Sequence, residues 1–147
     1  MVIKEENEDE VSTLVDASKA DAVFGIMEGN VDGIVEAMKA NRSDAKVQQH
    51  GCRALLELVD HDNHNKANLR RVWKDGRGVW FVVQAMKAHQ GDAGVQGAAC
   101  EALDGLVRLD IHRRRAGNKG ATRAVVKALK VHVTDAQVVK SGFSALA

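Results

Sequence analysis

At 147 residues the chain suits one domain and can bury about two-thirds of its unfolded surface. Apolar residues make up 45% and charged residues 28%, and proline and tyrosine are both absent; that mix favours helix and argues against a sandwich or barrel. The formal net charge of +1 creates no overall field towards nucleic acid or membrane. No apolar run approaches the ~20 residues of a membrane span, and the acidic start at 4–10 is unlike a signal peptide. A soluble, intracellular, cytoplasmic protein is the expectation.

Residues 1–10 are polar, acidic and aperiodic, and are expected to be disordered. From Val11 the pattern turns helical: Leu14, Val15, Ala22, Val23, Ile26 and Met27 share one stripe, which Gly29 and Asn30 stop. One helix, or two with a break near Asp21, fits this stretch, which reads as a cap over the next unit. Val31, Ile34, Val35 and Met38 then recur at i, i+3, i+4 and i+7, so an amphipathic helix is expected to end near Asn41. Ser43 and Asp44 supply the next N-cap, and a longer helix is predicted over 45–59 with Val47, Gly51, Cys52, Ala54, Leu55, Leu58 and Val59 inside.

A polar turn at 61–65 leads to a brief helix carrying Leu69, Val72 and Trp73, expected to stop at Gly76 and Gly78. Val79, Val82, Val83 and Met86 face inward in the next helix, which stops near Gly91. Asp92 caps its successor, with Val95, Ala99, Cys100, Ala102, Leu103, Leu106 and Val107 buried. The connector 108–120 is expected to hold little helix, because Ala116-Gly117-Asn118 has poor propensity. Val125, Val126 and Leu129 mark a further helix. Asp135 then caps a last one with Val138, Gly142, Phe143 and Leu146, whose outer face should be partly bare.

These elements repeat. A-M-K-A at 37–40 returns at 85–88, and A-L-K at 128–130. D-A-x-V-Q at 44–48 returns at 92–96, and D-A-x-V at 135–138. C-x-A-L-x-x-L at 52–58 returns at 100–106. Offsets of 48 and 43 residues point to stacked helical units sharing one core. Cys52 and Cys100 occupy the same place in successive units. Helices packed about 8–10 Å apart hold such positions too far apart for a disulfide, so two buried thiols are expected.

The unit of a short Gly-ended helix, a G-V-x-x-V-V-x-A-M helix and a D-A-x-V-Q-x-x-G-C-x-A-L-x-x-L helix resembles the armadillo repeat. The resemblance spans nearly the whole chain. It implies an all-α, right-handed α-solenoid of about three armadillo-like repeats with an N-terminal capping helix: 11–30 as cap or partial repeat, 31–64, 65–111, and a truncated 112–147. In that family the third helix of each repeat lines a concave groove that binds extended peptides. The importin type reads A-W-A-L-S-N there, aiming Trp and Asn into the groove. Here Arg53 and Glu57, Glu101 and Gly105, and Ser144 stand at those places, so importin-style nuclear-signal recognition is not expected.

The resemblance therefore implies a non-enzymatic protein-interaction or scaffolding module. Its partner-binding residues would be Lys46, Gln49, Arg53, Glu57, Asp60, Gly97, Glu101, Asp104, Arg108, Lys140 and Ser144. Arg53 is expected beside Glu101 and Asp60 beside Arg108, as cross-repeat charge pairs worth ~0–1 kcal/mol if exposed. The other reading is a structural subunit that docks by bare ends, including the Phe143 helix, into a larger assembly or a homodimer.

Lesser signals carry less. His61 and His64 have ligand spacing without a third ligand, so no metal site is expected. Arg113, Arg114 and Arg115 make a basic patch without interleaved aromatics, which disfavours nucleic acid. Trp73 is expected under the short helix and Trp80 half-exposed, as an anchor candidate. No G-x-S-x-G, P-loop, G-x-G-x-x-G or H-E-x-x-H occurs, and no catalytic residues or cofactor are expected.

Overall fold

The computed structural model describes residues 31–60, 66–108 and 110–147; the acidic start, the stretch read as a cap and the His61/His64 pair lie outside them. Among the described residues every regular element is helical. In chain order these are α1 (Val31–Ala40), α2 (Ala45–Asp60), α3 (Lys66–Trp73), a 3-10 turn (Lys74–Gly76), α4 (Arg77–Ala88), α5 (Ala93–Leu106), α6 (Asp110–Asn118), α7 (Ala121–Val131) and α8 (Ala136–Leu146).

The apolar stripes read from the sequence become one continuous core. Helices α2, α5 and α8 lie side by side as one row, and α1, α4 and α7 form a second row packed against it. Ile34, Met38, Leu55, Val79, Val82, Met86, Leu103 and Leu106 are sealed from solvent between the rows, at roughly 1.5–3 kcal/mol of burial for each large side chain. Small residues set the spacing. A Cβ on Gly51 would lie 2.5 Å from Met38 Cγ, and one on Gly142 would lie 2.7 Å from Leu129 Cδ2. Ala99 holds the corresponding place in α5 and is fully buried.

Each helix of the first row starts on an aspartate. Asp44 Oδ1 accepts from the amides of Lys46 and Val47, Asp92 Oδ1 from Val95 N at 3.0 Å, and Asp135 Oδ1 from Val138 N at 3.0 Å. Such caps satisfy amides that the helix itself leaves open. Two buried glutamines then fasten the loops. Gln48 Nε2 donates to Met38 O and Asn41 O, and Gln96 Nε2 donates to Met86 O and His89 O.

Two boundaries differ from expectation. The break after α3 sits at Gly76 alone, whose φ is +64°; Gly78 lies inside α4. A Cβ there would stand 2.5 Å from Val72 Cγ1, so glycine at 78 permits a close helix crossing rather than a stop. The connector after Arg108 is also more helical than its propensity suggests. α6 forms because Ala116 is buried and the His112 ring stacks on Trp73, with centroids 4.3 Å apart and planes 15° apart. Tertiary packing outweighs weak propensity here.

Candidate partner-binding face

The row α2–α5–α8 positions most of the residues read as a binding face. α5 is the centre of it, and its small side chains let both neighbours close in. A Cβ on Gly94 would fall 3.1 Å from Gln49 Oε1, one on Gly97 would fall 2.9 Å from Gln137 Cγ, and one on Gly105 would run into Leu56 Cδ1. Gly97 and Gly105 are therefore buried seams between helices. This corrects the expectation of Gly97 as a partner-binding residue: a helical wheel turns it outward but cannot show where an adjacent helix lands.

On the outer face Lys46, Arg53, Glu57, Arg108, Lys140 and Ser144 are exposed, while Gln49, Glu101 and Asp104 are half-buried. The Asp60 side chain, expected beside Arg108, lies outside the described residues. The anticipated Arg53–Glu101 pair does not form among the described residues. Glu101 Oε1 instead accepts from Gln137 Nε2 on α8. Gln137 was missed as a face residue, although it holds the position of Lys46 and Gly94 after the capping aspartate. The cross-helix tie is real, but an amide supplies it and it joins α5 to α8.

The remaining chemical groups fall elsewhere. Cys52 and Cys100 are free and buried. Burial pushes each thiol up to about 12, with a smaller contribution from Cys100 at Cys52 and from Glu101 at Cys100. Trp73 is buried and Trp80 is 36% exposed, meeting Phe81 edge-on at 4.8 Å. Trp73 Nε1 and His112 Nδ1 are enclosed without a hydrogen-bond partner. The His112 imidazolium is disfavoured, first by burial and then by Arg115. Arg114 and Arg115 are exposed on α6, and the Arg113 side chain lies outside the described residues.

Large apolar side chains are bared mostly on α7, α8 and their loop: Val133 is 66% and Phe143 63% exposed, with Val126, Val131 and Leu146 also open. Among the described residues no three His, Cys, Asp or Glu side chains gather as a metal site, and no helix is long and apolar enough to cross a membrane. Comparison with protein-family models, with curated proteins and with solved structures gives no significant match to this chain.

Proposed function

We propose that the chain is an armadillo-like α-solenoid module that binds a protein or peptide partner on the exposed face of α2, α5 and α8. The observation that carries this reading is the row itself: three Asp-capped helices side by side, joined by glycine-thin seams and bearing Arg53, Glu57, Lys140 and Ser144 outward. A rigid polar floor of this kind suits recognition by charge complementarity. Affinity capture with the wild type, Arg53→Glu and Glu57→Arg tests it. A partner retained by the wild type and released by both charge reversals is the expected result; equal retention by all three refutes the assignment of this face.

A second reading, a structural subunit docking by its end, is favoured by the bared Val133, Phe143 and Leu146. Light scattering of the purified chain decides it. A dimer that Phe143→Asp converts to monomer supports end docking, and a wild-type monomer removes the homodimer form of it.

A further inference from the structure

The second row of helices, on the other side of the core from that face, holds two clefts in the same register. One lies between α1 and α4, with a volume of about 290 Å³, and has Met38 and Gln48 at its base. The other lies between α4 and α7, with a volume of about 340 Å³, and has Met86 and Gln96 at its base, 48 residues further on. Arg42 and Lys87 line the first; Lys87, Arg123 and Lys127 line the second. Lys87 belongs to both, and no aspartate or glutamate lines either. None of these four cations joins an ion pair among the described residues.

Helix electrostatics do not account for all of this charge. Lysines in a last turn, such as Lys87, offset the negative end of the helix dipole. Arg123 lies in the first turn of α7, where a cation is disfavoured. That helix starts on Gly120 with no side-chain cap and no acidic residue in its first turn. At the start of α4 the comparable cation, Arg77, is answered by Asp32 and Glu36 of α1 at 3.8 and 3.7 Å. At α7 no carboxylate among the described residues answers Arg123. The second cleft thus gathers positive potential from three side chains and a helix N-terminus.

The step between the clefts is fixed. His89 Nε2 contacts Arg42 O at 2.8 Å, and His132 Nε2 contacts Gln90 O at 2.7 Å. A carbonyl only accepts, so each ring nitrogen is the donor, and each loop is fastened to the one before it. Packed helices stand about 8–10 Å apart. A polyproline II chain advances about 9 Å over its three-residue turn, returning the same face.

We propose that the α1–α4–α7 surface binds an extended acidic peptide with carboxylates at positions i and i+3. One glutamate enters each cleft, and Lys87 between them contacts both. The methylene stems lie against the open apolar side chains of the linings, Ala88 in one cleft and Val131 in the other. These half-apolar walls suit glutamate better than a phosphodiester. Phe81, the aromatic on the first lining, is buried and presents no open face for base stacking.

The test is fluorescence anisotropy of the full chain with a labelled peptide, Glu-Pro-Pro-Glu-Pro-Pro, at low and high salt. Controls replace both glutamates by glutamine or place them adjacent. Saturable, salt-sensitive binding is expected for the i, i+3 peptide alone. Lys87→Gln removes the cation shared by both carboxylates and should weaken it at least roughly tenfold, and the Arg123→Gln, Lys127→Gln double variant should weaken it severalfold. Arg70→Gln, an exposed charge on α3 away from both clefts, should leave binding unchanged. Circular dichroism checks that each variant is folded. No binding, equal binding of the glutamine or adjacent-glutamate peptide, insensitivity to Lys87→Gln, or tighter Lys87-dependent binding of a single-stranded oligonucleotide each overturns the proposal.

Discussion

Replacing Gln96 with leucine removes a hydrogen-bonding device while keeping side-chain volume and burial nearly constant. Gln96 is 2% exposed, and its amide donates to Met86 O at 2.9 Å and His89 O at 2.8 Å. The two carbonyls lose unequally. His89 O keeps the amide of Asp92 at 3.1 Å, so its loss is that of an ordinary bond, about 0.5–1.5 kcal/mol. Met86 O, near the end of α4, is left buried without a replacement donor, which costs about 1–3 kcal/mol. Together Gln96→Leu should destabilise the fold by about 2–4 kcal/mol. At roughly 2–4 °C per kcal/mol for a chain of this size, the melting temperature should fall by roughly 5–15 °C. Urea titration followed by circular dichroism measures the loss directly, provided the slope against denaturant is unchanged. A loss under about 1 kcal/mol would show that water satisfies these carbonyls and that the glutamine is not structural.

The same logic gives a stabilising change. α8 carries Val139 where α2 and α5 carry Gln48 and Gln96; Val139→Gln should donate to the Leu129 and His132 carbonyls and raise stability by about 1 kcal/mol, read by thermal melting. Asp92→Ala removes the acceptor of Val95 N and should cost about 1 kcal/mol in the same assay. Cys52 and Cys100 should resist iodoacetamide in the folded chain at pH 8 and react after denaturation. Because folding raises these thiols from 9.0 to about 12, their contribution is complete below pH 9 and is lost as pH climbs towards 12, visible as alkaline loss of melting temperature. Folding lowers the His112 pKa from 6.5, so its contribution is present above that pH and lost on acidification below it; His112→Phe should flatten the acid limb of stability against pH.

Much of the fold could be read from the chain. Spacing of Val31, Ile34, Val35 and Met38, and the recurrence of Asp44, Asp92 and Asp135 as caps, specify helices and their starts, because these are local geometric demands. The recurrence of D-A-x-V-Q is plain in the chain, yet the purpose of its glutamine lies in the carbonyls of Met38 and Met86, to which Gln48 and Gln96 donate. Those bonds span ten residues and depend on how two helices meet. The same holds for Gly97, which a helical wheel leaves open but Gln137 covers. α6, too, exists because Trp73 gives its His112 ring something to stack on and its Ala116 is buried.

By itself, then, the sequence determined the helical class, the repetition, the caps and the buried faces, since each follows from periodicity within one segment. Which exposed charges share a surface was decided only by tertiary structure. Glu101 turned to Gln137 instead of Arg53. Lys87 on α4 came to line one cleft with Arg123 and Lys127 on α7, more distant in the chain. The physical reason is that surface side chains are constrained by the placement of neighbouring helices, and that placement is set by packing between segments far apart in sequence.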